Sequence, residues 1–385
     1  MTVWQGQAAA DFTSILAESD ALVLNFAQLR SLQDPLAAQH WLAVIIDEAQ
    51  AIKNPDSQTA QSARSLKASH RLALTGTPIE NRLMDLWSIL SFAMPGALGS
   101  RAEFQRTFGK TSDSLARRRL SARVRPFLLR RTKSQVAQDL PPRIEEDLIC
   151  ELDGVQRDLY RAEYKKARTL LLKVKSSADL DQLRFHFLTS LLRLRQICCH
   201  PALVDKRQIN KPSAKVEALL DVLEPLMEEG NKVLIFSQFV SMLDLLQEEL
   251  RQRSWKDFYL AGDTEDRGPL VDSFNQHDGA AVFLISLKAG GFGLNLTSAS
   301  YVVLFDPWWN PAVESQAIDR THRIGQKNTV IAYRLLVKGS IEEKIRELQK
   351  QKSALAGDIL GEERFSQALT IDDLQFLFSS AEPTL

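Results

Sequence analysis

Two adjacent carboxylates, Asp47 and Glu48, close the apolar run LAVII. At the end of a buried strand, such a pair suits a nucleoside-triphosphate site. The first acid holds Mg2+ through water, and the second orients or deprotonates the attacking water. Two solvated acids at a strand end read the same way. Gln50, Lys53 and Asn54 come directly after the acids, and the run RLAL ends in Thr75-Gly76-Thr77-Pro78. Gly76 permits a tight turn and Pro78 stops the strand, so the hydroxyls of Thr75 and Thr77 are expected at the same sheet edge as the carboxylates.

The C-terminal half carries a second set. Ser237 and Gln238 follow the apolar run KVLIF, and Lys288 leads into the glycine-rich stretch AGGFGLN with Gly293, Asn295 and, just beyond, Thr297. Glycines of this kind let backbone N–H groups approach a phosphate, although any tight turn has the same composition. Trp308 and Trp309 lie in the proline-bounded loop DPWWNP, where an indole either stacks on a base or packs in the core. In QAIDRTHRIGQ, which opens with Gln316, Arg320 and Arg323 stand three apart and on a helix would project from one face. Two guanidinium groups there suit the charge that develops on a triphosphate, with surface ion pairs as the bland alternative.

These residues need elements to hold them. In residues 21–140, LVLNF, LAVIID and RLALTGT read as buried strands. Residues 141–211 read as helical, with Leu188, Leu191, Leu192, Leu194 and Ile197 on a helical period. Ser213 is expected to cap a helix through Leu219 and Leu223 that Gly230 ends. KVLIF, DFYLA, AVFLIS, YVVLF and VIAYRLL then read as strands separated by helices. That alternation implies a parallel sheet covered on both faces, with ligand-binding loops at its carboxyl edge. From Ser340, a helix with Ile341, Ile345 and Leu348 on one face is expected to pack back on the body. The domains read as 1–140, 141–211, 212–340 and 341–385.

The 385 residues suffice for two or three domains. Lys+Arg and Asp+Glu both number 48, so net charge does not point to nucleic acid. A local cluster does: Lys110, Arg117, Arg118, Arg119, Arg123, Arg125, Arg130, Arg131 and Lys133 surround the single acid Asp113. It reads equally as a phosphate-neutralising run or a solvated helix face. The 3 cysteines argue against a disulfide framework. Cys198-Cys199-His200 reads as packing, since zinc sites need spaced pairs that converge. No apolar stretch approaches the roughly 18 residues of a membrane span, and no secretion leader follows Met1.

Taken in order, DEAQ, LTGTPIEN, IFSQF, LKAGGFGLNL, DPWWNP and QAIDRTHRIGQ resemble motifs II to VI of superfamily two helicase-like motors, in the Swi/Snf-type branch of DNA-translocating ATPases. PFLLRRTK and RQICCHPAL resemble that branch's linkers. The resemblance implies an α/β fold with two RecA-like parallel-sheet lobes of the P-loop NTPase type, and ATP with Mg2+ in the cleft between them. It matches Asp47 to the Mg2+ site, Glu48 to the catalytic glutamate, and Arg320 and Arg323 to the arginine fingers. Gln50, Gly293, Gln316 and Asp319 match nucleotide-cleft positions. Lys53, Asn54, Thr75, Thr77, Ser237, Gln238, Lys288, Asn295, Thr297 and Trp309 fall in motifs that couple the lobes or touch the DNA backbone. The implied partner is double-stranded DNA, with a DNA-bound protein such as RNA polymerase as a further class, and the implied state is a monomer. DEAQ resembles bacterial members, which implies the nucleoid in the cytoplasm; a eukaryotic member would be nuclear.

The family's phosphate-binding loop, GxxxxGK[ST], precedes DEAQ, and no such motif occurs among the 46 residues before Asp47. Gly109-Lys110-Thr111 is a decoy, because Phe104 stands where the first glycine belongs. The expectation is a fragment with an incomplete first lobe that binds ATP poorly and does not turn it over. The alternative is a non-catalytic DNA- or protein-binding module.

Overall fold

Every strand pair among the described residues is parallel. The computed structural model describes residues 2–3, 16, 19–76, 83–108, 114–129, 131, 133–137, 139–174, 176–262, 264, 267–287, 294–308, 311–356 and 370–379. The chain divides into two units, Met1–Arg130 and Arg131–Leu385. The division falls ten residues before the expected boundary at 140.

In the first unit, β1 (Thr2–Val3) pairs with β2 (Leu22–Val23). LVLNF does not continue as a strand. Asn25 instead accepts the Gln28 N–H and starts helix α1 (Phe26–Ser31), with the Gln28 side chain reciprocating in a capping box. Helix α2 (Gln33–Ala38) leads to β3 (His40–Ile46), and α3 (Gln58–Ser65) crosses to β4 (Lys67–Ala73). Ile46, Ala60, Ala63, Leu66 and Phe92 form the core beneath this pair. The expectation of buried strands fails on the other face: Ile45 is 61% and Leu72 51% exposed, and they sit in register with each other. A two-stranded sheet covered by helices on one side leaves its second apolar face without a neighbour among the described residues of the unit. Helices α4 (Leu83–Ala93), α5 (Arg101–Phe108) and α6 (Ser114–Val124) enclose a separate small core around Phe104 and Leu120.

The second unit opens with the short helix α7 (Lys133–Val136) and β5 (Arg143–Cys150). Residues 143–150 were expected to be helical, and this is a correction. Their acids hide the strand pattern, because Glu145 and Asp147 pair with Arg334 on the neighbouring strand. Helices α8 (Gly154–Leu171) and α9 (Ser177–Cys199) follow, then α10 (Ala214–Glu228), β6 (Lys232–Ser237), α11 (Val240–Gln252) and β7 (Asp257–Leu260). The unit continues with α12 (Arg267–Gln276), β8 (Ala281–Ser286), β9 (Tyr301–Leu304) and α13 (Pro311–Ile318). It closes with β10 (Val330–Val337), α14 (Ile341–Ala356) and α15 (Ile371–Leu377).

The six strands order as β5-β10-β9-β6-β8-β7. Alternate residues feed opposite faces. Val233, Ile235, Val282, Leu284 and Val303 pack with α10 and α11, whereas Leu234, Phe236, Phe283, Ile285 and Val302 pack with α12 and α13. Each fully buried side chain of this size contributes about 1.5–3 kcal/mol, which is why these runs were readable as strands. The expected linker helices and the C-terminal helix share one cluster: Tyr160, Phe187, Leu191 and Leu194 pack against Ile341, Ile345 and Leu348. Ser213 does precede α10, but its hydroxyl donates to the Cys199 carbonyl at 2.6 Å, and the Gln156 side chain accepts the Ala214 N–H. Gly230, at φ +79°, ends that helix as expected.

The two faces make opposite forecasts. Ile285→Ala should destabilise the second unit by about 2–5 kcal/mol, whereas Ile45→Thr should stay within about 0.5 kcal/mol, both read by urea unfolding.

Candidate functional site

β3 stops at Ile46, and the chain turns through Asp47 and Glu48 into a short 3-10 segment, Ala49–Ile52. Glu48 sits in the left-handed region at φ +51°. A side chain there costs about 1–2 kcal/mol, so its surroundings must hold it. They do: Ala49 N–H donates to the Leu74 carbonyl and Leu74 N–H to the Ile46 carbonyl, both at 2.8 Å. Ala49 and Ile52 are buried at 0% and 1% exposure, which pins the turn from below. The expectation that Thr75 shares the edge with the acids holds. Its hydroxyl donates to Gln50 Oε1 at 3.0 Å, and Gln50 Nε2 donates to Glu48 Oε2 at 2.6 Å. This relay fixes the Gln50 amide and, through it, the Glu48 carboxylate.

Asp47 is exposed, with Oδ1 accepting the Glu48 N–H at 2.9 Å. Mg2+ takes one or two carboxylates and otherwise prefers water and phosphate oxygens. A single open carboxylate at a strand end fits that donor set. Lys53 is half-buried. Asn54 shapes the next turn, its Oδ1 accepting the Asp56 N–H at 3.0 Å. Thr77, Lys288, Gly293 and Trp309 lie outside the described residues.

The second unit sorts its candidate residues onto two rims of the sheet. Ser237 and Asp306 stand at the carboxyl ends of adjacent strands β6 and β9. The Ser237 hydroxyl donates to Asp306 Oδ1, and the Gln238 N–H donates to Asp306 Oδ2 at 3.2 Å. Burial pushes the Asp306 carboxyl up in pKa, opposed by the Ser237 hydrogen bond. Ser237 is fully buried and its hydroxyl is engaged by Asp306. Gln238 is half-buried.

Sequence reading missed the groups that hold the loop after β9. Lys215 Nζ donates to the Phe305 carbonyl at 3.0 Å and to Glu342 Oε1 at 2.8 Å, and Arg195 donates to the Pro307 carbonyl at 2.6 Å. Glu314 accepts the Trp308 N–H at 2.7 Å and pairs with Arg334 at 3.1 Å. Lys215 and Glu342 are both fully buried, and each would be costly alone. Trp308 is 9% exposed and packs in the core, the commoner fate of the residue. Cys198 and Cys199 are fully buried, with burial raising both thiols in pKa. His200 Nδ1 accepts the Ala202 N–H at 3.0 Å, and burial lowers its pKa. No local spacing marks Lys215, Arg195 or Glu342 as partners.

The arginine turn stands on the opposite rim, at the amino ends of β9 and β10, not at the carboxyl edge. Helix α13 stops at Ile318, where the Thr321 hydroxyl takes the Ile318 carbonyl at 2.7 Å. Arg320 and Arg323 therefore do not share a helical face, which corrects the spacing argument: Arg320 is buried and Arg323 exposed. Arg323 Nη1 donates to the Leu294 carbonyl at 3.2 Å, and Leu296 N–H donates to the Arg320 carbonyl at 3.1 Å. Gln326 Nε2 adds bonds to the carbonyls of Thr297 and Ala299 at 3.2 and 2.8 Å. Asn295 and Thr297 are thereby brought beside the two arginines. Gln316 is half-buried on α13. Asp319 accepts from Lys133 at 2.7 Å and from Arg143 at 3.2 Å.

Residues 1–203 match the SNF2-related domain, and residues 214–325 match the helicase conserved C-terminal domain. An uncharacterized ATP-dependent helicase of Mycoplasma pneumoniae is 38% identical over 94% of this chain and 35% of its own length. A putative ATP-dependent helicase/translocase of Bacillus subtilis, YwqA, is 35% identical over 96% of this chain and 41% of its own. The chain thus spans 35% to 41% of the length of these two curated relatives. The Sulfolobus solfataricus SWI2/SNF2 ATPase core in complex with dsDNA is 34% identical, with TM-score 0.52, covering 98% of this chain and 80% of that one.

The left-handed turn gives a direct test. Glu48→Gly should be more stable than Glu48→Ala by about 1 kcal/mol, because only glycine adopts that conformation without strain. Thermal and urea unfolding of the two variants checks this.

Proposed function

This chain belongs to the SNF2-related family of helicase-like ATPases, and on that premise we propose that it is part of a motor coupling ATP hydrolysis to movement along double-stranded DNA. The observation that carries the proposal is the Asp47–Glu48 turn. A strained conformation is held by two backbone bonds and two buried residues, and its glutamate is oriented through Gln50 by Thr75. A merely solvated acid pair has no need of such support.

In this reading Glu48 orients the attacking water and takes its proton. Asp47 anchors Mg2+, which when bound neutralises charge on the phosphate oxygens. Arg320 and Arg323 stabilise charge on the transferred phosphoryl group. Gln50 and Gln316 are assigned to nucleotide contact. Gln238, Asn295 and Thr297 serve DNA contact or coupling, and Thr75 transmits the state of Glu48. The solved archaeal relative was captured with double-stranded DNA, which supports DNA as the track. The place of work is then wherever the cell's DNA lies. Among the described residues, no helix is long and apolar enough to cross a membrane.

The sequence holds no GxxxxGK[ST], so the phosphate cradle has to come from other residues, in the same polypeptide or another. The bare face of Ile45 and Leu72 supports a first lobe that takes further strands or helices. A second reading, a DNA-gripping module without ATP chemistry, is favoured by Arg118, Arg119, Arg123 and Arg125, all exposed on and just after α6.

The purified 385-residue chain should bind DNA with a steep salt dependence and show no DNA-stimulated ATPase activity. Joined to a family α/β segment that bears GxxxxGK[ST], it should gain that activity. In the joined protein, Arg323→Ala should lower kcat by about 10³-fold or more while DNA affinity stays unchanged. Turnover by the unjoined chain would remove the need for an added cradle. Binding without turnover in the joined protein would favour the gripping module.

A further inference from the structure

We propose that Lys133 is a positioning residue for the arginine turn, holding residues 319–323 from the start of the second unit; this rests on the reading of that turn as a triphosphate contact. The turn has no regular structure of its own. Past Ile318 it consists of short turns that end at Gly325, with φ +104°. Its orientation is therefore set by what grips it from outside.

Two segments do so. The loop 294–299 holds one side through the Arg323 and Gln326 side chains. Segment 133–143 holds the other. Lys133 Nζ donates to Asp319 Oδ1 at 2.7 Å and to the His322 carbonyl at 2.7 Å. Arg143 Nη1 donates to the same Asp319 oxygen at 3.2 Å. His322 Nε2 lies 2.8 Å from the Pro141 carbonyl, which can only accept, so this nitrogen carries the proton.

The ties are not equivalent. Asp319 keeps Arg143 if Lys133 is lost. The bond to the His322 carbonyl comes from Lys133, and it lands between Arg320 and Arg323. An ammonium can do this because its donors point in several directions at once and bridge a carboxylate and a main-chain oxygen. Lys133 also stands only three residues past Arg130, where the first unit ends in the chain. The residue that steadies the turn thus comes from the first residues of the second unit.

Amide hydrogen exchange of the 385-residue chain reads this without any ATP chemistry. In Lys133→Met, amides of residues 320–326 should exchange roughly 3- to 10-fold faster, as expected for loss of one partly exposed ion pair and one main-chain bond. Protection in β8 and β9, read in the same spectra, should be unchanged. Lys133→Arg should restore most of the protection. Lys338→Met, which breaks an exposed pair with Glu151, should leave residues 320–326 as they were. Unaltered exchange of those residues in Lys133→Met, with β8 and β9 protected, would overturn the positioning role. In the joined, ATP-hydrolysing protein, Lys133→Met should lower kcat and leave the ATP KM and DNA affinity unchanged. Faster exchange together with turnover indifferent to both Lys133→Met and Arg323→Ala would overturn instead the functional reading of the turn.

Discussion

Parallel pairing in the six-stranded sheet is the constraint on which the second unit rests. Parallel strands need a crossover after each strand, and the crossovers cover both faces. Every strand here also starts at one rim and ends at the other. The loops are sorted by that geometry before any chemistry is considered. Ser237 and Asp306 end adjacent strands and meet at the carboxyl rim. The arginine turn and the loop 294–299 precede β10 and β9 and meet at the amino rim.

Charge inside such a body must be paired where it stands. Lys215 and Glu342 lie within the apolar layers, and Asp306, Arg195, Glu314 and Arg334 are nearly as deep. Each is satisfied by a backbone group or an opposite charge. An unpaired member would cost several kcal/mol, more than most single contacts return. The network therefore acts as a rigid mount for residues 305–308, joining α9, α10, α13 and α14 to one loop.

The first unit shows the opposite balance. Its β3–α3–β4 piece has a well-packed lower core and an apolar upper face open to solvent. Its most ordered chemistry is the Asp47–Glu48 turn, where local strain is offset by the backbone bonds to β4. The motif that sequence reading picked out first is thus the one the unit invests most structure in holding.

Legibility followed the range of the forces. Runs such as KVLIF, AVFLIS and YVVLF were readable because burial on both faces demands uninterrupted apolar residues. β5 was not, because its acids are neutralised by Arg334 and Arg346, far away in sequence. LVLNF gave way to a capping box, a local bond that outcompeted strand pattern. The sequence by itself determined the order of the motifs, the identity of the acids and arginines, and the lack of a phosphate-binding loop among these residues. Only the tertiary structure decided that Ser237 is buried, that Arg320 and Arg323 leave the helix, and which rim each motif occupies. The reason is physical: residue type and spacing encode short-range periodicity, whereas rim and burial depend on strand direction and on partners brought from elsewhere in the chain.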